Sequence, residues 1–201
     1  LHKGAIISID RLLPMPTVIA FQYNPESMSR KLTPHSAGES GSKSEVQRLD
    51  RPPTEEISLK AEFDATDGLE LRDPIAVNMG VYPQLSALET LLYPPKTRVV
   101  ANNVLTALGI IEVIPPMAPL TLFVWGPRRV LPVRITNLSI EETAYDKQLN
   151  PIQANVDLGL RVLNYADFCV NDPGAFIFLA HQAVKEAMAL TGTSSSPVNF
   201  F

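Results

Sequence analysis

Two runs near the middle of the chain constrain the fold most. Arg129–Glu142 and Gln153–Leu163 read as long amphipathic strands joined through Tyr145-Asp146-Lys147-Gln148-Leu149-Asn150-Pro151. In the second run, Ala154, Val156, Leu158, Leu160 and Val162 alternate with Gln153, Asn155, Asp157, Gly159 and Arg161. That is the two-residue period of a strand with one dry and one wet face. In the first, Val133 and Ile135 point one way, and Leu138 and Ile140 regain that side only if an extra residue near Asn137 shifts the phase. The pattern therefore predicts a β-bulge there. At about 3.3 Å per residue, the stretch from Gln153 to Leu163 reaches roughly 36 Å, well past an ordinary strand. A ribbon of that length spans its domain and needs a surface to lie against.

The remaining composition bounds the class. A chain of 201 residues with 45% hydrophobic content can bury a real core as one domain. A single cysteine, Cys169, cannot form an internal disulfide, and its expected state is a buried thiol. A net charge of -4 argues against a surface that neutralises a phosphate backbone, so nucleic acid is not an expected partner. The longest run without charge or proline, Val99–Ile111, falls short of the roughly 20 apolar residues a membrane helix needs, and the start of the chain lacks a signal peptide's apolar centre. Synthesis in the cytoplasm and a soluble state, with no membrane insertion, are expected.

The 18 prolines fall between apolar segments, as β-rich punctuation. Ala5–Asp10 and Val18–Tyr23 read as short neighbouring strands, the second ended by Asn24-Pro25. Ser27–Thr33 suits a polar edge strand, and 34–44 a mobile loop of Gly, Ser, Glu and Lys. Glu56–Phe63 alternates with Ile57, Leu59, Ala61 and Phe63 inward. Gln84–Leu92 carries leucines at helical spacing, while Arg98–Ile111 fits either helix or strand. Leu120–Trp125 is an apolar strand stopped by Gly126-Pro127. Asp172-Pro173 opens a helix running to about Leu190. Its Phe176, Leu179, Ala180, Ala183, Val184 and Ala187 share one face, and Ile177 and Phe178 lie on others, more apolar surface than one sheet covers.

Chemistry-bearing patterns are weak. Asp64, Asp67, Glu70 and Asp73 recur every third residue, which is not calcium-loop spacing and reads as a solvated acidic connector. Ser40-Gly41-Ser42-Lys43 matches a Ser-x-x-Lys pattern but sits in the polar loop rather than on a helix. His2, His35 and His181 have no second ligand nearby in sequence, so no metal site is expected, and His181 reads as a packed helix histidine. No nucleophile elbow, phosphate loop or dinucleotide fingerprint is present. Neither catalytic residues nor a cofactor are expected.

The run Phe21-Gln22-Tyr23-Asn24-Pro25 resembles the opening of the tube-type domain of contractile injection systems, the phage-tail-like particles of bacteria. Leu59–Asp64, ending in Phe63-Asp64, is similar to that family's amphipathic strand, and Pro116–Gly126, closing in Phe123-Val124-Trp125-Gly126, to its proline-led strand. Leu149-Asn150-Pro151-Ile152-Gln153-Ala154 resembles the Gly-x-Pro-x-Arg-Ala turn before its last long strand. Asn150 falls near the family's glycine, and Gln153 replaces its usual arginine. The likeness covers about 5–165 in separate pieces, and 76–115 reads as an insertion or cap.

What the resemblance implies is a mainly β fold. Two antiparallel sheets form a tail-tube-like β-barrel over 1–165 with a flanking helix, and a C-terminal helix and tail occupy 166–201. The implied role is structural: a homohexameric ring at the baseplate, joining the central spike or hub to the inner tube, with wedge or sheath proteins as further neighbours. The expected ring contacts are Arg134, Thr136, Asn155, Asp157 and Arg161 on the long strands and Phe176, Ile177 and Phe178 on the helix. A main inner-tube or tail-tube initiator protein of the same fold is the alternative, and a small β-barrel ligand-binding module or enzyme is the alternative from another class.

Overall fold

A computed structural model describes residues 3–9, 16–36, 49–93, 96–107, 119–169 and 171–194. Its strands are β1 (Ala5–Ile9), β2 (Thr17–Ala20), β3 (Met28–Ser36), β4 (Leu49–Asp64), β5 (Leu120–Val124), β6 (Val130–Tyr145) and β7 (Pro151–Val162). They form one antiparallel sheet in the order β2-β1-β5-β6-β7-β4-β3. Helices α1 (Thr66–Glu70), α2 (Pro74–Met79), α3 (Tyr82–Thr90) and α4 (Lys96–Ala107) fill the β4–β5 connection, and α5 (Pro173–Ser194) follows β7. The mainly β fold with a C-terminal helix is as expected, and the described strands belong to a single sheet.

The sheet is nevertheless curled. β2 and β4 stand five places apart in the strand order, which in a flat sheet separates them by about 24 Å. Yet the Gln22 side chain, just past β2, donates to the Asp64 carbonyl at 2.5 Å and accepts from the Asp64 amide at 2.9 Å. Twist accumulated over seven strands, with the bulges below, brings that edge round to the end of β4.

The long ribbon is the centre of the sheet. β6 pairs with β7 from Val133↔Val162 to Tyr145↔Pro151, and the register slips between Ile135 and Asn137, where the phase change predicts a bulge. The slip lets Ile135, Leu138 and Ile140 all pack on the core. In β4, Ile57, Leu59, Ala61 and Phe63 are buried while Ser58, Lys60 and Glu62 are exposed. β4 runs further back than its alternation suggests, through Pro52-Pro53. Those prolines are tolerated because β4 there pairs only with β3; its β7 ladder begins at Glu55↔Val162. β3, the expected polar edge strand, continues through Pro34 to Ser36, where the composition predicts a loop, and the register shifts at that proline; the rest of the expected loop lies outside the described residues. The Ser-x-x-Lys segment lies outside the described residues.

Helices cover the inner face at two ends. Asp73 caps α2 by accepting from the Ile75 amide at 3.1 Å, with Pro74 in the first turn. Val81, Leu85 and Leu88 then bury against the sheet. The acidic connector is thus built into helices: Asp67 and Glu70 lie on α1, and Asp64 accepts from the Thr66 amide. The Arg98–Ile111 stretch is helical through Ala107. α5 starts where expected, with Asp172 accepting from the Gly174 amide at 3.0 Å, and continues to Ser194 rather than Leu190. Cys169 is exposed, correcting the expected buried thiol.

Candidate functional site

Three surfaces stand out once the pairing is traced. The first is a strand edge without a strand partner, on the strand that α5 packs against. β5 reaches only to Thr121↔Val133, so β6 from Arg134 to Tyr145 pairs with β7 on one side and with no described strand on the other. Such an edge presents a row of unpaired backbone donors and acceptors. β3 forms an edge of the sheet as well.

The second is the outer face of the ribbon. Arg134 faces Arg161, Ser139 faces Asp157 and Glu141 faces Asn155 across β6 and β7, with Lys60 of β4 3.5 Å from Asp157. Thr136 is exposed at the bulge. The structure therefore places Arg134, Asn155, Asp157 and Arg161 on one continuous polar surface. Arg161 also pairs with Asp167 at 3.0 Å.

The third is α5, whose docking differs from expectation. Its buried side carries Ala175 and His181, with Phe178 half-buried on the core and 6.2 Å from the Tyr165 ring. The apolar face of Phe176, Leu179, Ala180, Ala183, Val184 and Ala187 points to solvent, Phe176 being 60% exposed. Ile177 is half-buried. The reason is a polar anchor: Lys185 on α5 reaches Glu55 at 3.3 Å, and Glu55 also takes the Arg30 guanidinium at 2.5 Å. Glu55 is only 5% exposed. Burial alone would raise its pKa, but the Arg30 hydrogen bond and the Lys185 and Arg30 charges outweigh this and hold it below the usual carboxylate value. Meeting that buried carboxylate fixes the rotation of α5 and turns its apolar stripe outward.

Beside the anchor lies a groove of about 560 Å³ between α5 and the β3–β4 hairpin. His181 lines it, and neither of its ring nitrogens has a hydrogen-bond partner among the described residues. Burial, followed by the nearby Lys185 charge, pushes the imidazole pKa down, partly offset by the Arg128 backbone and Glu55. The packed histidine expected from the sequence is therefore buried, with the Arg128 backbone near its ring but no hydrogen bond of normal geometry among the described residues.

The residues of the family-like motifs are structural. Phe21 and Phe123 are fully buried, and Trp125 stacks on Phe123 at 5.7 Å and packs at 6.4 Å from Phe21. Asn24 accepts from the Gly4 amide at 2.9 Å, and Tyr23 donates to Asp67 at 3.4 Å. Pro25 is half-buried. Phe63 and Ala154 sit opposite each other in the core, and Gln153 donates to Asp64 at 2.7 Å. Gly126 adopts φ +75°, and the Pro151 carbonyl accepts from the Val81 amide at 2.9 Å. In the turn, Leu149 rather than Asn150 takes the left-handed conformation, φ +64°. Asn150 instead donates to Asp146 at 2.8 Å and to the Asn78 carbonyl at 3.1 Å.

No family model matches this sequence, and no curated protein matches it. Among the described residues, no group of three or more His, Cys, Asp or Glu is placed to hold a metal, and no helix is long and apolar enough to cross a membrane.

Proposed function

We propose that this chain is a structural ring subunit whose fold is completed by identical copies. The observation that carries this reading is the unpaired edge of β6 from Arg134 to Tyr145, which lies in the same molecule as an apolar α5 stripe turned to solvent. An edge of that length invites strand addition, and a stripe of that chemistry invites a subunit contact. Within this reading the polar outer face of the ribbon, with Arg134, Asn155, Asp157 and Arg161, lines the ring's lumen. Phe176, with Leu179 and Val184, meets the neighbour.

The motif resemblance carries the reading further, to a baseplate adaptor in a contractile injection system. There a hexamer of this chain joins spike or hub to inner tube, inside a phage-tail-like particle. The two-layer barrel belongs with this proposal. It is supported by the 16-residue lengths of β4 and β6, roughly 53 Å each if straight, and by the Gln22–Asp64 contact between strands five places apart.

Mass photometry of the purified chain and of the double variant Leu179→Glu/Val184→Glu tests it. Both side chains are exposed in the single chain, at 47% and 38%, so the variant should melt as the single chain does. The expected result is an oligomer for the natural sequence and a folded monomer for the variant. A natural chain that stays monomeric at all concentrations, or a variant that assembles equally well, overturns the proposal.

A further inference from the structure

The groove beneath α5 concentrates positive charge in an acidic protein. Arg51 and Lys185 line it, Arg30 borders it through Glu55, and Arg129 lies within electrostatic reach of Arg30, Glu55 and His181. Among the described residues that line the groove, Glu55 is the one carboxylate, with one oxygen engaged by Arg30 and the other by Lys185, while Asp167, bonded to the Asn164 amide at its rim, is paired with Arg161. The chain as a whole carries a net charge of -4, so this local excess runs against its composition. Neither Arg51 nor Arg129 has an ion-pair partner among the described residues. Arg129 is held below the ordinary arginine value by burial and then by repulsion from Arg30.

The walls of the groove are apolar. Leu32, Pro52, Pro53, Tyr165 and Phe178 line it, and its volume of about 560 Å³ is within the range of small-molecule sites. His181 adds an unmet demand. It is 7% exposed, and neither ring nitrogen has a hydrogen bond of normal geometry among the described residues, although the Arg128 backbone lies close enough to favour its charged form.

We propose that this groove is a binding site for a small organic carboxylate with a compact apolar body, its anionic end held by Lys185 and Arg51 beside His181 and its body against Tyr165, Phe178 and the two prolines. A bound carboxylate would neutralise the cation excess and offer the His181 ring N–H an acceptor. An organic cation is disfavoured, since the carboxylate that would receive it is already shared by two bases. This site is independent of ring assembly and stands or falls without it.

Isothermal titration with 3-phenylpropionate tests the assignment, with 3-phenylpropan-1-ol and 3-phenylpropylamine as neutral and charge-reversed probes. Saturable binding of the carboxylate is expected, with the alcohol and the amine at least tenfold weaker. Arg51→Gln and Lys185→Gln should each weaken carboxylate binding about tenfold. The first alters an exposed side chain and should leave the groove intact, as a melting curve and unchanged Phe178 ring resonances will show, so Arg51→Gln is the deciding variant; the second also removes one arm of the α5 anchor. Perturbation of the Tyr165 and His181 ring resonances by the carboxylate places the ligand in the groove. Absence of saturable binding, equal binding of alcohol or amine, or insensitivity to Arg51→Gln would overturn the proposal.

Discussion

Replacing Gly80 with alanine should be among the most damaging single changes in the chain, although it adds one methyl group. Gly80 ends α2 at φ +56°, ψ −133°, a conformation that side-chain-bearing residues enter at a cost of about 1–3 kcal/mol. A Cβ there would lie 2.0 Å from the Pro151 carbonyl oxygen, so the helix end and the start of β7 would have to separate by more than about 1 Å to restore an ordinary contact. That same oxygen accepts the Val81 amide at 2.9 Å, and Val81 is 1% exposed. Separation therefore strands a buried donor, at roughly 1–3 kcal/mol more. The expected loss is roughly 2–6 kcal/mol. Gly126→Ala is the control: Gly126 also has positive φ, +75°, but nothing lies within 4 Å of its would-be Cβ. It should lose only the conformational cost, roughly 1–2 kcal/mol. Urea unfolding of both variants at matched concentration reads the difference. Equal losses, or a Gly80→Ala loss below that of Gly126→Ala, would refute the claim that Pro151 and Gly80 fit together without room for a methyl.

Other changes have defined directions. Leu149→Gly should raise stability by about 0.5–1 kcal/mol, because Leu149 holds φ +64° while its side chain is 78% exposed and contributes little burial; a thermal melt checks this. Glu55→Gln should cost about 3 kcal/mol in chemical unfolding, since it leaves Arg30 and Lys185 without their shared carboxylate. Two groups set the acid response. The folded-state pKa of His181 is depressed, so stability falls as pH drops below the unfolded value near 6.5, where only the unfolded chain takes up the proton. That of Glu55 is depressed too, so its stabilisation is full above the unfolded carboxylate value and disappears as pH falls through the folded value. His181→Leu should flatten the first of these two steps in unfolding curves taken from pH 8 down into the acid range and leave the second, more acidic step in place.

How far the sequence alone reaches can be judged from particular elements. The alternation in Gln153–Leu163 and the phase slip near Asn137 report on a buried face, and β7 and the β6 bulge follow directly from them. Asp172-Pro173 marks the start of α5 because capping is a local interaction. Which face of α5 docks was not legible. Its first turns are apolar nearly all round, and the deciding contact joins Lys185 to Glu55, 130 residues away. The groove escaped for the same reason: Arg51, Glu55, His181 and Lys185 meet only because α5, packed against β6, reaches across to Glu55 of β4. Pro52-Pro53 hides the first part of β4, because proline argues against a strand unless the neighbouring edge is known to be unpaired. The free edge of β6 is likewise a fact about where β5 stops, which no local pattern in β6 encodes.

Hydrogen–deuterium exchange along β6 as a function of protein concentration tests subunit pairing most directly. In a lone antiparallel edge, alternate amides point away from the partner strand and exchange freely. If copies pair along Arg134–Tyr145, these amides should pass from fast to strongly protected as concentration rises, with a mass near six times 22.0 kDa in the protected state. Exchange along β6 that is the same at every concentration, from a species of 22.0 kDa throughout, would contradict the account.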